Sequence, residues 1–488
     1  MLDGLYRQSL TLLTDLYQLT MASAAWKSGA DKREAVFHLI FRHSPFEGGY
    51  TVAAGLGTAL EYLRDWRFTE SDLGYLAGLR TEAGALMFEG AFLEYLQKLS
   101  PRLHIDAMPE GTAVFPQEPI LRVSGPIVPC MLLETPLLTL INFQTLVATK
   151  AARVCSAAQG DPVLEFGLRR AQGIDGALLA SRAAYVGGVA ATSNVLAGKL
   201  FGIPVRGTHA HSWVMLFEDE LEAFEAYARA MPHNVVLLVD TYDSLQGVRR
   251  AIETGRWLRS QGHDLSGIRL DSGDLAWLSI EARKLLDGAG FANTRILASN
   301  DLDEHLIESL KRQGARIDSW GVGTRLVTGW EEPALGGVFK LSAVREPGGP
   351  WNRRVKLSDQ SVKISVPGIL QVRRFYSGGE MVGDMIYDVE DSNPSQTLID
   401  PLDVTRRKTI APGAQWEDLL VPVMRGGAQV YTAPPLADSR ARTQRQLAQL
   451  HAGTKRFVNP HVYPVGLEPG LHDRRVRMIL EARKRAAA

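Results

Sequence analysis

The chain of 488 residues is short of cysteine, carries no net charge and has no long uninterrupted apolar run. Cys130 and Cys155 are its only cysteines. Because a secreted protein of this size usually carries more, the sequence favours a reducing, cytoplasmic location. Its 54 basic side chains balance its 54 acidic side chains. Net charge therefore indicates neither nucleic acid nor a membrane surface as a partner, although local clusters of arginine could still bind phosphate.

Two segments lack the patterns that targeting or membrane insertion requires. Residues 1–18 have no basic stretch followed by an apolar one, so we expect no signal peptide there. Residues 126–152 are the most apolar candidate, but they fall short of the ~18 uninterrupted apolar residues of a membrane helix. They are interrupted by Pro129, Glu134, Pro136 and Asn142. The sequence therefore predicts a buried core helix in this region.

Strand-like and helix-like segments alternate through the middle of the chain. Strands are predicted at 162–170, 203–210, 234–243, 267–274, 294–301, 317–324 and 336–344, and helices include 183–202 and 218–231. Such alternation is typical of βαβ units and a parallel sheet. Six or seven consecutive units favour a (β/α) barrel over an open sheet, so we expect the α/β class.

The flanking regions have a different character. Residues 1–130 mix helical and strand patterns and predict an α+β domain, joined by antiparallel strands from 346–432. Residues 131–345 are predicted to form the barrel, which would be the catalytic domain. Residues 433–488 are polar, rich in arginine and helical in period, which predicts a helical C-terminal extension.

Most of the predicted barrel strands end in a polar cluster, and the C-terminal strand ends build the active site in such barrels. The stretch "GTHAHSW" (207–213) places His209 and His211 on one face if the strand continues. A metal site is one interpretation, with Asp240, Asp271 and Asp301 as further ligands, as in a metal-dependent barrel hydrolase.

A nucleophilic histidine is the other interpretation of this stretch. It needs a carboxylate that holds the tautomer, and Asp240 at the next strand end, roughly 5 Å away, is the expected partner. Further along, "IRLDSGD" places Arg269 and Asp271 on one face, suited to a carboxylate and to a ribose or Mg²⁺. Asp274 fits a helix N-cap, and "GVGT" (321–324) is a weak phosphate signal without any P-loop motif.

Many motifs, in order along the chain, resemble those of the nicotinate phosphoribosyltransferase family. They are "LLTDLYQLTM" (12–21), "FRHSPFEGGYTVAAGL" (41–56), "EFGLRRAQG" (165–173), "AATSNVLAGK" (190–199), "GTHAHSW", "LVDTYD" (238–243), "IRLDSGDL" (268–275), "ASNDLDE" (298–304), "GVGT" with "ALGGVFKL" (334–341), and "TKRFVNPHVYPVGLE" (454–468).

The resemblance implies the type II phosphoribosyltransferase fold, an irregular barrel packed on an N-terminal domain, and a homodimer with shared active sites. It implies that nicotinate and phosphoribosyl pyrophosphate form nicotinate mononucleotide and pyrophosphate in NAD salvage. ATP is hydrolysed to ADP and phosphate through a phosphohistidine, which gives a ligase-type enzyme, with Mg²⁺ carried by the pyrophosphate. Nicotinamide or quinolinate phosphoribosyltransferases and a non-catalytic relative that binds pyridine nucleotides are the alternatives.

The resemblance also implies roles for single residues. His211 matches the phosphorylated histidine, and His209 falls on a variable position and becomes a supporting residue. The expected nicotinate site consists of Phe166, Arg269, Thr208, Ser193 and, from a partner subunit, Tyr17. A serine at 193, where the nicotinamide enzyme carries an aspartate, favours the acid over the amide. The expected phosphoribosyl pyrophosphate site consists of Arg42, Arg169, Asp271, Gly323 and Thr324, and Asp271 could also meet Mg²⁺.

Overall fold

The structure, a computed structural model, describes residues 9–391 and 394–487. The first eight residues of the segment expected to lack a signal peptide lie outside the described residues. The helices are α1 (Leu16–Ser28), α2 (Leu56–Asp65), α3 (Glu70–Gly78), α4 (Gly90–Gln97), α5 (Ile127–Leu132), α6 (Glu134–Ala158), α7 (Gly173–Gly187), α8 (Val195–Phe201), α9 (His211–Val214), α10 (Glu220–Ala230), α11 (Ser244–Ser260), α12 (Leu275–Gly288), α13 (Glu304–Arg312), α14 (Thr324–Val327), α15 (Leu436–Ala448) and α16 (Pro469–Ala487).

The strands are also numbered in the order in which they occur along the chain. They are β1 (Glu34–Ile40), β2 (Thr51–Val52), β3 (His104–Ala107), β4 (Ala113–Val114), β5 (Leu121–Pro126), β6 (Val163–Glu165), β7 (Ala191–Thr192), β8 (Val236–Leu238), β9 (Gly267–Leu270), β10 (Arg295–Ala298), β11 (Ser319–Val322), β12 (Val338–Arg345), β13 (Asn352–Arg353), β14 (Leu370–Ser377), β15 (Glu380–Asp388), β16 (Thr397–Ile399), β17 (Arg407–Thr409), β18 (Gln415–Asp418), β19 (Val421–Arg425), β20 (Ala428–Gln429) and β21 (Val465–Leu467).

The described chain divides into two compact units. The first unit comprises the described residues of Met1–Thr145, Ala334–Pro435 and Gln444–Ala488, and the second comprises Leu146–Pro333 and Leu436–Thr443. The first unit holds a seven-stranded sheet in the order β13-β12-β1-β5-β3-β19-β20 and a six-stranded sheet in the order β17-β16-β21-β15-β14-β18. Most neighbours in these sheets are antiparallel, as in the pairs β1/β12, β1/β5 and β14/β15.

The second unit is built on a parallel sheet in the order β7-β6-β11-β10-β9-β8. Its strands are short apolar runs buried on both faces, as β8 and its flanks show with Val235, Leu237, Leu238 and Val239 all buried. Helices lie between successive strands in the chain, which confirms the predicted α/β class.

The edges of this sheet are joined by residues 203–210, which makes the ring irregular. Val205 forms an isolated parallel bridge with Thr192 in the edge strand β7. At the other edge, the backbone N–H of Leu238 in β8 donates to the ring of His209. The expected strand at 203–210 is therefore reduced to a single bridge, and a side chain closes the ring of strands.

Three further sequence predictions differ from the observed elements. The helix predicted at 183–202 is interrupted, because Gly188 leaves the helical region with φ of 126° and ends α7. The short strand β7 follows, and the Asn194 side chain caps α8 by accepting the N–H of Ala197 at 3.2 Å. The strand predicted at 336–344 is β12, which pairs antiparallel with β1 in the first unit rather than extending the barrel. The segment 433–488 contains α15 and α16 but also β21, which pairs with β15.

The apolar segment near residue 130 forms two helices, α5 and α6. Residues Ile127–Ala158 are long and apolar enough to cross a membrane, with a mean hydropathy of 1.4 in their most apolar window. However, 56% of that window is buried inside the protein, where Val128, Leu137 and Val147 are inaccessible to solvent. This burial fits the predicted core helix.

Candidate functional site

The polar ends of β9 and β10 meet around the guanidinium of Arg269. Its Nε donates to the Ser299 hydroxyl at 2.7 Å, and its Nη1 donates to the Thr208 hydroxyl at 3.1 Å. Its Nη2 donates to Oδ1 of Asp271 at 2.8 Å. Because all three guanidinium nitrogens have a fixed partner, the planar group is held in one orientation within the second unit.

Asp271 follows β9 and is shared between several donors. Its Oδ1 accepts from Arg269 and, over a short contact, from the Ser299 hydroxyl, while its Oδ2 lies 3.7 Å from Nε2 of His211. Burial raises the pKa of this carboxyl, but the Ser299 hydroxyl and Arg269 together lower it below its ordinary value. Asp271 is therefore ionised at neutral pH.

His211 is the first residue of the short helix α9, and its side chain is 39% exposed. The Trp213 indole in the same helix donates to the carbonyl of Ala223 at 3.0 Å and ties the turn to α10. Nδ1 of His211 lies 3.1 Å from the Thr241 hydroxyl, and Nε2 faces Asp271. The ring is thus oriented through Nδ1 and accessible to a ligand.

Asp240 does not orient His211, contrary to the sequence prediction. Its Oδ2 accepts the backbone N–H of Asp271 at 2.8 Å and the Ser272 hydroxyl at 2.7 Å, and its buried Oδ1 has no hydrogen-bond partner among residues 9–391 and 394–487. The loop after β9 turns toward the end of β8 and brings these two donors to the carboxylate. Thr241, one residue later, takes the place beside His211 that the sequence assigned to Asp240.

His209 and His211 do not share a face, because the strand does not continue to them. His209 is only 8% exposed and packs edge-on against Tyr227 at 4.9 Å between ring centroids. Its Nε2 accepts the N–H of Leu238 at 3.1 Å, so we assign the ring proton to Nδ1, 3.3 Å from the carbonyl of Ala210. Burial lowers the pKa of His209 to about 4, so the ring is neutral at pH 7.

The metal-site interpretation finds no support in this geometry. The Nε2 lone pair of His209 is engaged by a backbone N–H and is not available to a metal ion. Among residues 9–391 and 394–487, no group of three or more His, Cys, Asp or Glu side chains is placed to hold a metal ion. Asp274 is the N-cap of α12, as its spacing predicts, and accepts the N–H of Trp277 at 3.0 Å.

Phe166 follows β6 and stands beside the Arg269 guanidinium, whose Cζ lies 5.7 Å from the ring centroid. The N–H of Phe166 donates to the carbonyl of Val322 at 2.8 Å. Gly321 leaves room for the ring, since a Cβ there would approach it to 2.7 Å, and a Cβ at Gly323 would lie 3.2 Å from the Phe166 carbonyl oxygen. The glycines of "GVGT" therefore make space for the Phe166 segment, and Thr324 begins α14.

Glu165, directly before Phe166, is fully buried and holds three chain segments together. Its carboxylate accepts the N–H of Gly167 over a short contact, the Ser181 hydroxyl at 2.8 Å and the Thr192 hydroxyl at 2.6 Å. The predicted site does not include Glu165, although a charged side chain inside the apolar run "PVLEF" is a visible sequence signal. The contacts fix the backbone on which Phe166 is carried.

Ser193 and Arg169 lie at the rim of the same unit. Ser193 donates its N–H to the Glu165 carbonyl at 2.9 Å and lines a cavity of about 450 Å³. Apolar side chains form most of the other walls of this cavity, among them Leu168, Ile174, Val195 and Leu196. Arg169 is exposed in the 3-10 turn Leu168–Arg170.

Tyr17 and Arg42 belong to the first unit. Tyr17 lies on α1 with 48% of its surface exposed, and Arg42 follows β1 and is half-buried. Burial lowers the pKa of Lys340, and the positive charges of Arg42 and Lys356 lower it further. Arg42 is thus one member of a basic cluster on this unit.

Comparisons with known proteins identify the family. The model of the nicotinate phosphoribosyltransferase (NAPRTase) N-terminal domain matches residues 12–142, and that of the C-terminal domain matches residues 370–475. The nicotinate phosphoribosyltransferase of Bacillus subtilis (strain 168) is 43% identical over 488 residues, which cover 99% of this chain and 98% of the relative. This chain belongs to the nicotinate phosphoribosyltransferase family.

Solved structures agree with membership of the nicotinate phosphoribosyltransferase family. The crystal structure of human nicotinic acid phosphoribosyltransferase matches with a TM-score of 0.83 and 33% identity, over 95% of this chain and 99% of the human chain. The nicotinate-nucleotide pyrophosphorylase of Pyrococcus furiosus, at 21% identity and a TM-score of 0.68, shares the fold over 90% of this chain and 96% of its own. These matches confirm the fold class expected from the sequence.

Sequence reasoning missed several residues that contact the predicted site residues. Ser299, Thr241 and Ser272 each donate to, or lie beside, a predicted site residue, yet a single serine or threonine after a strand carries no distinctive pattern. "ASND" and "DTYD" marked their positions as polar strand ends without showing which side chain points inward.

Proposed function

We propose that this chain joins nicotinate to phosphoribosyl pyrophosphate, forming nicotinate mononucleotide and pyrophosphate, and couples this step to ATP hydrolysis through phosphorylated His211. The observation that carries the proposal is the fixed Arg269 guanidinium beside the Phe166 ring. A cationic fork next to an aromatic face suits a flat aromatic carboxylate.

In the proposed complex the nicotinate carboxylate binds Arg269, and the pyridine ring stacks on Phe166. Thr208 and Ser299 hold the guanidinium in plane, so little conformational entropy is lost when the carboxylate binds. Ser193 offers no negative charge that would repel an acid, which supports nicotinate over nicotinamide. The ring nitrogen then attacks the ribose anomeric carbon, and the bond from that carbon to pyrophosphate breaks.

Phosphoribosyl pyrophosphate carries several negative charges that need cationic and backbone partners. We assign them to Arg169, Gly323 and Thr324 of the second unit, and the ribose to Asp271; Arg42 of the first unit is carried over from the family resemblance alone. Stabilising the departing pyrophosphate and the developing positive charge on the ribose supplies most of the catalysis in such a reaction.

His211 is the proposed phosphate acceptor. With its proton on Nδ1 and the Thr241 hydroxyl 3.1 Å away, the Nε2 lone pair is free on an exposed ring. Nε2 attacks the γ-phosphorus of ATP and ADP leaves; water later cleaves the phosphorus–nitrogen bond and releases phosphate. Asp240 acts indirectly, by fastening the loop that carries Asp271.

Mg²⁺ fits this site as an ion that arrives on pyrophosphate. Asp271 is ionised, and its Oδ2 lies 3.7 Å from Nε2 of His211, beyond hydrogen-bond distance, so it offers a hard oxygen ligand. When bound, Mg²⁺ neutralises charge on the leaving pyrophosphate. The chain's own part is to keep Asp271 ionised and in place through Ser299 and Arg269.

We also propose a homodimer in which Tyr17 of one copy covers the pyridine site of the other. Two exposed apolar sets support it: Leu10, Leu13, Leu16, Tyr17 and Met21 in the first unit, and Leu168, Ile174, Val195, Leu196 and Leu200 in the second. Large exposed apolar side chains gathered in one region commonly mark a protein interface. A cytoplasmic role in NAD salvage completes the proposal.

The test measures which pyridine compound the protein consumes. Purified protein is incubated with phosphoribosyl pyrophosphate, Mg²⁺ and either nicotinate, nicotinamide or quinolinate, with and without ATP. We expect nicotinate mononucleotide, phosphate released in step with it, and an acid-labile phosphate on His211 by mass analysis. Consumption of another pyridine, or no turnover, would overturn the proposal.

Two further measurements separate the remaining alternatives. Zinc that stays bound in stoichiometric amount through dialysis would support a barrel hydrolase. Protein that has been stripped of metal and becomes active when Mg²⁺ is added would support the transferase. Sedimentation analysis of the wild type and of Leu196→Glu tests the dimer. The glutamate should produce monomers if the apolar set of the second unit is the interface.

A further inference from the structure

His209 occupies the gap between the two edges of the parallel sheet. The segment before it reaches β7 by backbone hydrogen bonds, with the N–H of Thr192 donating to Pro204 and the N–H of Arg206 donating to Thr192. No backbone hydrogen bond joins residues 203–210 to β8 in the part of the chain that the structure describes. The ring of His209 makes that connection, 3.1 Å from the N–H of Leu238.

The position leaves little room for substitution. Leu238 is 1% exposed, so its N–H cannot form a hydrogen bond with water instead. A buried N–H without an acceptor lowers the stability of the folded state. The imidazole is clamped by Tyr227 and Phe224, at 4.9 and 6.2 Å between ring centroids. Packing therefore fixes the ring, and the ring fixes the backbone of residue 209.

The neighbours of His209 in sequence belong to the proposed site. The Thr208 hydroxyl donates to the carbonyl of His209 at 3.2 Å and accepts from Arg269 Nη1 at 3.1 Å. A displacement of residue 209 would therefore move the Thr208 hydroxyl away from the guanidinium. The guanidinium would then be less firmly held, so more conformational entropy would be lost when a carboxylate binds to it.

We propose that His209 is a positioning residue, whose imidazole closes the ring of strands at Leu238 and thereby holds Thr208 against Arg269. The inference rests on the proposed binding of nicotinate at Arg269. It adds a role for a histidine that contacts neither the substrate nor the reacting atoms.

The test compares three substitutions of His209. Two introduce amide side chains of different length, and the third introduces an aromatic ring that cannot accept a hydrogen bond. In His209→Gln the amide oxygen reaches the position of Nε2, whereas in His209→Asn it stops near the position of Nδ1. His209→Phe keeps the packing against Tyr227 and removes the acceptor. We expect KM for nicotinate to rise about 10-fold in the Phe and Asn variants, with kcat within about threefold, and to stay within about twofold in the Gln variant.

His38 in the first unit provides a matched control. It is 3% exposed, and its Nε2 accepts the N–H of Leu370 at 3.1 Å, the same kind of bond at the same length. His38→Phe should lower the thermal unfolding temperature to a similar extent as His209→Phe and leave KM for nicotinate unchanged. This control separates positioning from a general loss of stability.

The outcomes are distinct. An unchanged KM in His209→Phe, an equal rise in His38→Phe, or a Gln variant no better than the Asn variant would each overturn the positioning role. If His209→Phe fails to fold, the Gln and Asn pair still decides. Failure of the proposed function shows separately, as a wild type that forms no nicotinate mononucleotide.

Discussion

The backbone N–H of Asp271 donates a 2.8 Å hydrogen bond to Oδ2 of Asp240, so the loop after β9 is fastened to the end of β8. The Ser272 hydroxyl donates to the same oxygen at 2.7 Å. Asp240 therefore acts on the site through a loop and not through an imidazole. Its carboxylate is hydrogen-bonded to Asp271 and Ser272 in the loop after β9, and not to His211.

Replacing Asp240 distinguishes these two roles. Asp240→Asn keeps an acceptor oxygen for both donors and should retain kcat within about tenfold, whereas Asp240→Ala frees the loop and should lower kcat about 100-fold. The kcat for nicotinate mononucleotide formation with ATP is the measurement. Equal losses in the two variants would restore the carboxylate charge as the essential feature.

Asp274→Ala is the control for this pair. Asp274 caps α12, so its removal should cost about 1 kcal/mol of unfolding free energy. Its side chain accepts from Trp277 and from no proposed site residue, so kcat should not change.

Arg269→Lys should disable nicotinate binding while the charge is preserved. An ammonium cannot present a planar fork to a carboxylate, nor satisfy Ser299, Thr208 and Asp271 together. We expect KM for nicotinate to rise about 100-fold, which corresponds to about 3 kcal/mol. Steady-state kinetics with each substrate varied would show it, and KM for phosphoribosyl pyrophosphate should change far less.

Stability should fall in acid partly because of His209. Its folded-state pKa is about 4, below the ordinary 6.5, mainly through burial and further through the charges of Arg269 and His211. Between these values only the unfolded chain takes up a proton, so unfolding becomes easier as the pH drops. Denaturant titrations at pH 7 and pH 4.5 should show the wild type losing about 2 kcal/mol more than His209→Gln. Equal losses would contradict this assignment.

Gly321→Ala should displace the aromatic ring of Phe166, which lies beside Arg269. A Cβ at this position would lie 2.7 Å from the Phe166 ring, so the ring must shift. We expect a loss of about 1–3 kcal/mol in unfolding free energy and weaker nicotinate binding by calorimetry. Gly176→Ala in α7, with open space around the added methyl, should instead stabilise the protein by about 0.5–1 kcal/mol.

The proximity of Arg269, Asp271 and His211 could be predicted from the sequence, but their hydrogen-bond partners could not. Buried strands with polar ends are local patterns, and they placed Arg269, Asp271 and His211 at one edge of the sheet. Which donor reaches Asp240 depends on the path of the loop after β9, which no local pattern records. The opposite orientations of His209 and His211 arise because α9 begins at His211, and four residues are too few for a recognisable helical period.

Through Glu165, the position of Phe166 depends on residues that are distant in the sequence. Its carboxylate binds hydroxyls 16 and 27 residues further along the chain, at Ser181 and Thr192. A conservative exchange such as Ser181→Ala would remove one of these donors and leave the buried Glu165 carboxyl with one hydrogen bond fewer. Any loss of substrate affinity in this variant would arise within α7 and not at the residues that surround Arg269, so surveys of variants should find sensitivity beyond the predicted site residues.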